Sequence, residues 1–345
     1  MSQIRADARR RRAVVSVSGR VAAAALAATM LVGGVASLAQ SSGDYGEAPG
    51  LYAALAKQPH TRLQVAGGTI DVVFADGAPG LDRARVLAWI RKSAVAVSTY
   101  FGRFPVSHVG LLVIADDGAS VGAGTTYGFG ASAIRIHVGR EADEAAFERD
   151  WILVHEMTHL ALPRVPRNSL WVQEGNATYV EPIARAQAGQ LQPADVWRWC
   201  LEDMAKGEPQ PGDRGLDRTA THGRIYWGGA MFWLLADVQI REQTHGRKSV
   251  QDALRAINRQ SGGNTAEWSV NRVMTVGDEA TGVHVLTSLY AQMGPAPVQV
   301  DLDKLFSKLG LAERDGVVAF DETAPLASVR RQITAPPVQL TTQPR

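Results

Sequence analysis

The chain has 345 residues, 46% of them hydrophobic and 20% charged, with a formal net charge of +2. That composition excludes an intrinsically disordered chain and leaves room for one large domain or two modest ones. The first 39 residues hold six arginines and one aspartate; without them 30 basic and 33 acidic residues remain, so no basic surplus points to nucleic acid as a partner.

In chain order, Arg9 to Arg12 and Arg20 precede an uncharged run, Val21 to Ala39, that ends in small residues. This is the pattern of a secretory signal over 1–39. About 19 uncharged residues could also serve as an N-terminal membrane anchor, but many are Ala or Gly, and weak hydrophobicity favours cleavage. Either way the body of the protein is expected outside the cytoplasm, periplasmic or secreted. Residues 40–60 read as a polar, Gly-containing linker. Thr69 to Ala75 reads as a strand, Leu81 to Gly102 as a long helix and His108 to Asp116 as a buried strand. The segment GASVGAGTTYGFGAS at 118–132 reads as a Gly-rich loop, and it lacks the Gly-Lys-Ser/Thr of a phosphate loop. Ala133 to Gly139 alternates as a half-exposed strand does.

From Glu144 onward helices are expected at about 145–162, 169–187, 193–206, 224–243 and 248–260. Pro163 and Pro166 separate the first two. A short strand follows at Gly316 to Phe320, and 331–345 reads as a Pro-rich disordered tail. The fold class is therefore α+β: a mixed N-terminal sheet over 61–140 and a mostly helical half over 141–330, forming one catalytic unit. The single cysteine, Cys200, allows no internal disulfide and sits in an apolar helical pattern.

The chemistry concentrates in LVHEMTHLAL, Leu153 to Leu162. On a helix, His159 lies about 40° and Glu156 about 100° around from His155, on an otherwise apolar segment. Burying two imidazoles and a carboxylate without strong partners costs several kcal/mol. A single Zn²⁺ removes the conflict, because two histidines one turn apart can both reach it with the glutamate beside them. Glu174, in LWVQEGNATYVEP, stands fifteen positions after His159. The Pro-containing connection lets its helix fold back, so His155, His159 and Glu174 form a candidate zinc set with Glu156 as general base. Thr178 and Glu181 lie about 40° and about 20° from Glu174 on that helix, where either could orient a ligand histidine.

These residues resemble the gluzincin metallopeptidases of the thermolysin-like clan. The pattern is nearest to the aminopeptidase N, leukotriene hydrolase and glycyl aminopeptidase branches. The likeness covers roughly residues 105 to 245. It rests on HEMTH, on Trp171, Glu174, Gly175, Tyr179 and Glu181, and on Tyr226 to Ala230 in RIYWGGA. It implies a gluzincin-like catalytic domain with an active-site edge strand, and Tyr226 as donor to the oxyanion. The Gly-x-Met-Glu-Asn segment, whose glutamate holds the substrate α-amino group in aminopeptidase relatives, has no counterpart; GAGTTYGFGAS occupies its place. The expected activity is therefore an exported zinc endopeptidase acting on peptide or protein. The strand from Ala133 through Arg135 and His137 is the candidate for pairing with substrate, and His222 stands one turn before Tyr226. Two alternatives stay open: a zinc hydrolase of a non-protein amide, ester or cell-wall peptide, and a non-catalytic zinc-stabilised envelope binding factor.

Overall fold

A computed structural model describes residues 45–314 and 316–336; the arginine-rich N-terminus, with the expected signal or anchor, and residues 337–345 lie outside them. No described helix is long and apolar enough to cross a membrane.

The first described element corrects the expected linker: Ala48–Lys57 forms helix α1. Its Leu51 and Ala54 pack with Val73, Leu112 and Ala133 on one face of the sheet. Strands β1 (His60–Val65), β2 (Gly68–Phe74), β3 (His108–Asp116), β4 (Val121–Tyr127) and β5 (Ala133–Gly139) form that sheet, in the order β1-β2-β3-β5-β4. β2, β3 and β5 run parallel, and the two outer strands pair antiparallel. The β2–β3 crossover is α2 (Arg83–Phe101), started by Asp82, whose carboxylate accepts from Arg85 N at 3.1 Å, and ended by Gly102 at φ 77°. Val109, Leu111 and Val113 of β3 belong with α2 to the main core, so the sheet is covered on both faces.

Two expectations about this sheet change. The middle of the Gly-rich stretch is strand β4, and β4, not β5, is the edge on that side. β5 sits between β3 and β4, so its backbone is already paired on both sides and has no edge for a substrate.

The helical half begins with α3 (Glu144–Arg149) and α4 (Ile152–His159), where a continuous helix is expected from the sequence. Asp150 makes the break. Its buried carboxylate accepts from Ile152 N and Leu153 N at 3.0 and 3.2 Å and from the Trp89 indole at 3.1 Å. Helices α5 (Trp171–Gln187), α6 (Pro193–Asp203), α7 (Gly229–Gln243), α8 (Val250–Ser261), α9 (Val270–Thr281), α10 (Val285–Met293) and α11 (Leu302–Leu309) follow. A hairpin of β6 (Leu311–Arg314) and β7 (Val317–Phe320) precedes α12 (Ala327–Thr334). Residues 331–334, expected within a disordered tail, thus close a helix whose Ile333 is buried. One mixed sheet followed by a mostly helical half is the α+β class read from the sequence.

Candidate active site

α4 and α5 are the two arms of the site. α4 carries His155, Glu156 and His159; Pro163 and Pro166 turn the chain, and α5 returns with Glu174 in its first turn. His155 Nε2 lies 3.2 Å and His159 Nε2 3.4 Å from the same oxygen, Glu174 Oε2. The three candidate donor atoms lie within 4.8 Å of one another. Burial opposes ionisation of Glu174, but the adjacent imidazoles of His159 and His155 outweigh it and hold the carboxyl well below the usual range.

The edge strand positions Glu156, the candidate base. A Cβ on Gly124 would stand 2.5 Å from Glu156 Cγ and 3.0 Å from Ile152, so only glycine lets β4 lie this close to α4. Two residues on, the Thr126 hydroxyl is 2.7 Å from Glu156 Oε2 and 2.8 Å from the Glu156 carbonyl oxygen. Neither Thr126 nor Gly124 stood out in the sequence, where the stretch reads as loop.

Tyr226 enters from the third side. Gly223–Gly228 forms one π turn ahead of α7. A Cβ on Gly175 would stand 2.3 Å from Gly229 Cα, so α5 and the start of α7 meet backbone to backbone. That contact brings Tyr226 beside Glu174. Burial first, then the Glu174 and Glu156 carboxylates and a hydrogen bond to Glu174, push the phenol up to about 12, so it stays protonated and able to donate. The Tyr226 ring stacks on His155 at 6.2 Å and on His222 at 4.5 Å. All five residues, His155, Glu156, His159, Glu174 and Tyr226, line one cleft of about 960 Å³. His222 is exposed and approaches that cleft through its stacking on Tyr226 rather than lining it.

The remaining sequence candidates go elsewhere. Ala133 is buried in the smaller core. Arg135 donates to the carbonyls of Tyr45 and Gly46 and to Thr125 Oγ1, and His137 pairs with Asp116 at 2.8 Å. None of the three lines the cleft, because their strand is interior. Glu181 pairs with Arg185 at 2.9 Å, and burial pushes its carboxyl up to about 7; it is committed to that ion pair and not to a histidine. Thr178 borders a small apolar cavity with Tyr179, Trp197 and Trp227. His155 Nδ1 is buried with no hydrogen-bond partner among the described residues. Burial pushes the Cys200 thiol up to about 12, which suits an inert core residue.

Comparison with known proteins adds the fold. No protein-family model matches the sequence, and no curated protein matches it. Among solved structures, an aminopeptidase N family protein from Idiomarina loihiensis is similar, with a TM-score of 0.57 at 13% identity over 77% of this chain and 52% of that one. An M1 zinc metallopeptidase from Deinococcus radiodurans overlaps with a TM-score of 0.44 at 16% identity, over 70% of this chain and 54% of that one. The chain spans about half the length of these structures. The first likeness establishes a shared fold.

Proposed function

We propose that the protein is a zinc-dependent peptidase that cuts within peptide chains. The carrying observation is the convergence of His155, His159, Glu174, Glu156 and Tyr226 on one open cleft. The donor set fits the ion. Bonds of about 2.0–2.1 Å in a tetrahedral site put neighbouring donors roughly 3.4 Å apart. The spacings to Glu174 are 3.2 and 3.4 Å. Three protein donors leave one position open, the composition of a catalytic zinc site rather than a structural one. A zinc ion held there supplies Lewis acidity and lowers the pKa of a water towards about 7.

The chain's own groups do the rest. Glu156 takes the proton of the attacking water and passes it to the leaving amine. Thr126 donates to Glu156 Oε2, which leaves Oε1 for that proton. The Tyr226 phenol donates to the oxyanion as it develops. The free edge of β4 supports an extended substrate backbone. Internal cleavage is favoured by charge. The carboxylates lining the cleft are Glu156, Glu174 and Glu267, and Glu267 is paired with Arg164 at 3.3 Å. Among the described residues none is left over to hold a substrate ammonium group. The placement of Glu156 and Tyr226 on one open cleft argues against a purely structural zinc. The arginine-rich segment and uncharged run at 1–39 support an exported protein, tested by sequencing the N-terminus of the mature chain.

The decisive experiment is metal analysis combined with hydrolysis of peptides blocked at both ends. Wild type should hold one zinc and cut these peptides internally, and His155→Ala and Glu174→Ala should lose both properties. Hydrolysis that survives chelation, or that requires a free amino terminus, would overturn the reading.

A further inference from the structure

Among the described residues, five large apolar side chains are exposed. Two of them, Phe129 at 61% and Trp151 at 48%, line the same cleft. Single exposed apolar residues are ordinary, but two aromatics in one cleft mark a place where apolar groups bind. Both rings are held. The Asp150 break leaves Trp151 just ahead of α4, edge-on to His155 with ring centroids 5.5 Å apart. The Arg164 guanidinium lies over the Phe129 ring at 4.8 Å. Arg164 is itself fixed by backbone hydrogen bonds with Ala266 and Trp268 at 2.8 and 2.9 Å.

The two rings bracket the metal ligands. β4 runs alongside α4: Gly124 abuts Ile152 and Glu156, and Thr126 binds Glu156. Gly128 then abuts Asn264, whose N–H donates to the carbonyl of Leu160, just past the helix end. Along this shared direction Trp151 precedes His155, and Phe129 comes after the level of His159. From Ala123 along β4 and on past its end to Phe129 is six steps, at most roughly 20 Å at about 3.3 Å per residue. An extended peptide of about six residues covers it.

We propose that Trp151 and Phe129 build two apolar subsites on opposite sides of the scissile bond, each taking a large apolar or aromatic side chain of one extended peptide. The proposal rests on the peptidase reading above and adds what the substrate is: an unfolded segment of about six residues with bulky apolar side chains towards both ends. Packing against an aromatic ring at either site suits the rings of Phe, Tyr and Trp and the flexible apolar chains of Leu and Met. An acidic side chain at the Phe129 end would have to displace Glu267 from Arg164.

The test incubates zinc-loaded wild type with a mixture of eight-residue peptides of randomised sequence and reads the cleavage sites by mass spectrometry. Wild type should enrich large apolar residues at one position on each side of the cut. Trp151→Ala should weaken the preference on one side roughly tenfold or more, and Phe129→Ala on the other, at unchanged zinc content. Trp151→Leu and Phe129→Leu should keep the apolar preference but weaken the aromatic one, and they replace the alanine variants if those do not fold. A flat profile, an acidic preference at the Phe129 end, or two variants that alter the same side would overturn the subsites and leave the peptidase reading standing. A zinc-loaded wild type that cuts no peptide would overturn the peptidase reading and the subsites with it.

Discussion

α5 and the segment from Tyr226 through α7 meet at two polar clusters, and the clusters are built differently. At one, Asp237 accepts from Tyr179 Oη at 2.8 Å, Arg241 Nε at 3.0 Å and Val250 N at 2.9 Å, all buried. Each carboxylate oxygen is satisfied and nothing faces solvent. At the other, Glu174 and Tyr226 look into a cleft, with His155 Nε2 beside Glu174 at 3.2 Å. Between them Gly175 and Gly229 press the two backbones together. The closed cluster fixes how the helices lie, and the open one inherits its geometry from that. A buried polar group with every bond made is a framework element; one aimed into a cleft with valence to spare is available for chemistry.

That contrast can be broken by substitution, and the largest effect is expected on the open side. Glu156→Gln should lower turnover by up to about 10⁴-fold, since only proton transfer is removed. Zinc content and melting temperature should stay near wild type; a parallel loss of zinc would make Glu156 a ligand instead. Next is the closed side. Asp237→Ala leaves Arg241 buried without its charge partner and should destabilise by about 3–5 kcal/mol in denaturant titration. Activity per folded molecule should survive, and a selective loss of turnover at full stability would erase the distinction. Tyr226→Phe returns to the open cluster, with a loss of about 10²–10³ in turnover. Its KM and zinc content should hardly move. The smallest effect is at Thr126→Val, which takes a donor from Glu156 and should cost roughly ten- to a hundredfold in kcat at similar KM. Thr126→Ser should restore most of it; failure of serine to do so would mean that Thr126 acts through its methyl group.

Much of the open cluster was legible before any coordinates, because helical spacing alone puts His155, Glu156 and His159 together and a Pro-broken turn brings Glu174 back. The α+β order was legible for the same kind of reason, from period-2 and period-3.6 runs. What stayed hidden depends on contacts distant in sequence. The stretch holding β4 has four glycines from Gly122 to Gly130, two of them within the strand, and no alternation, so nothing local marks it as a strand. Its glycines answer to Glu156 and Asn264, which lie far along the chain. The break at Asp150 had a local signal, an acidic residue before a helix start, but its third bond comes from Trp89 on α2. Glu181 was misplaced because helical angle says which face a residue shares, not which partner is nearest, and Arg185 one turn away takes it.

The position of β4 has a further consequence for self-association. A sheet has two edges, and an unpaired edge invites another chain to add a strand. Here the β1 edge is blunted by charge, with exposed His60 and Arg62 around Asp71. The β4 edge has no such defence, yet all its residues except Ala123 are at least half-buried. Set into the cleft beside α4, it is out of reach of a second folded sheet and open to a single extended chain. The protein can therefore keep a bare, glycine-rich strand edge without becoming a template for its own aggregation, and under the proposed peptidase function the same recess would admit only an unfolded target.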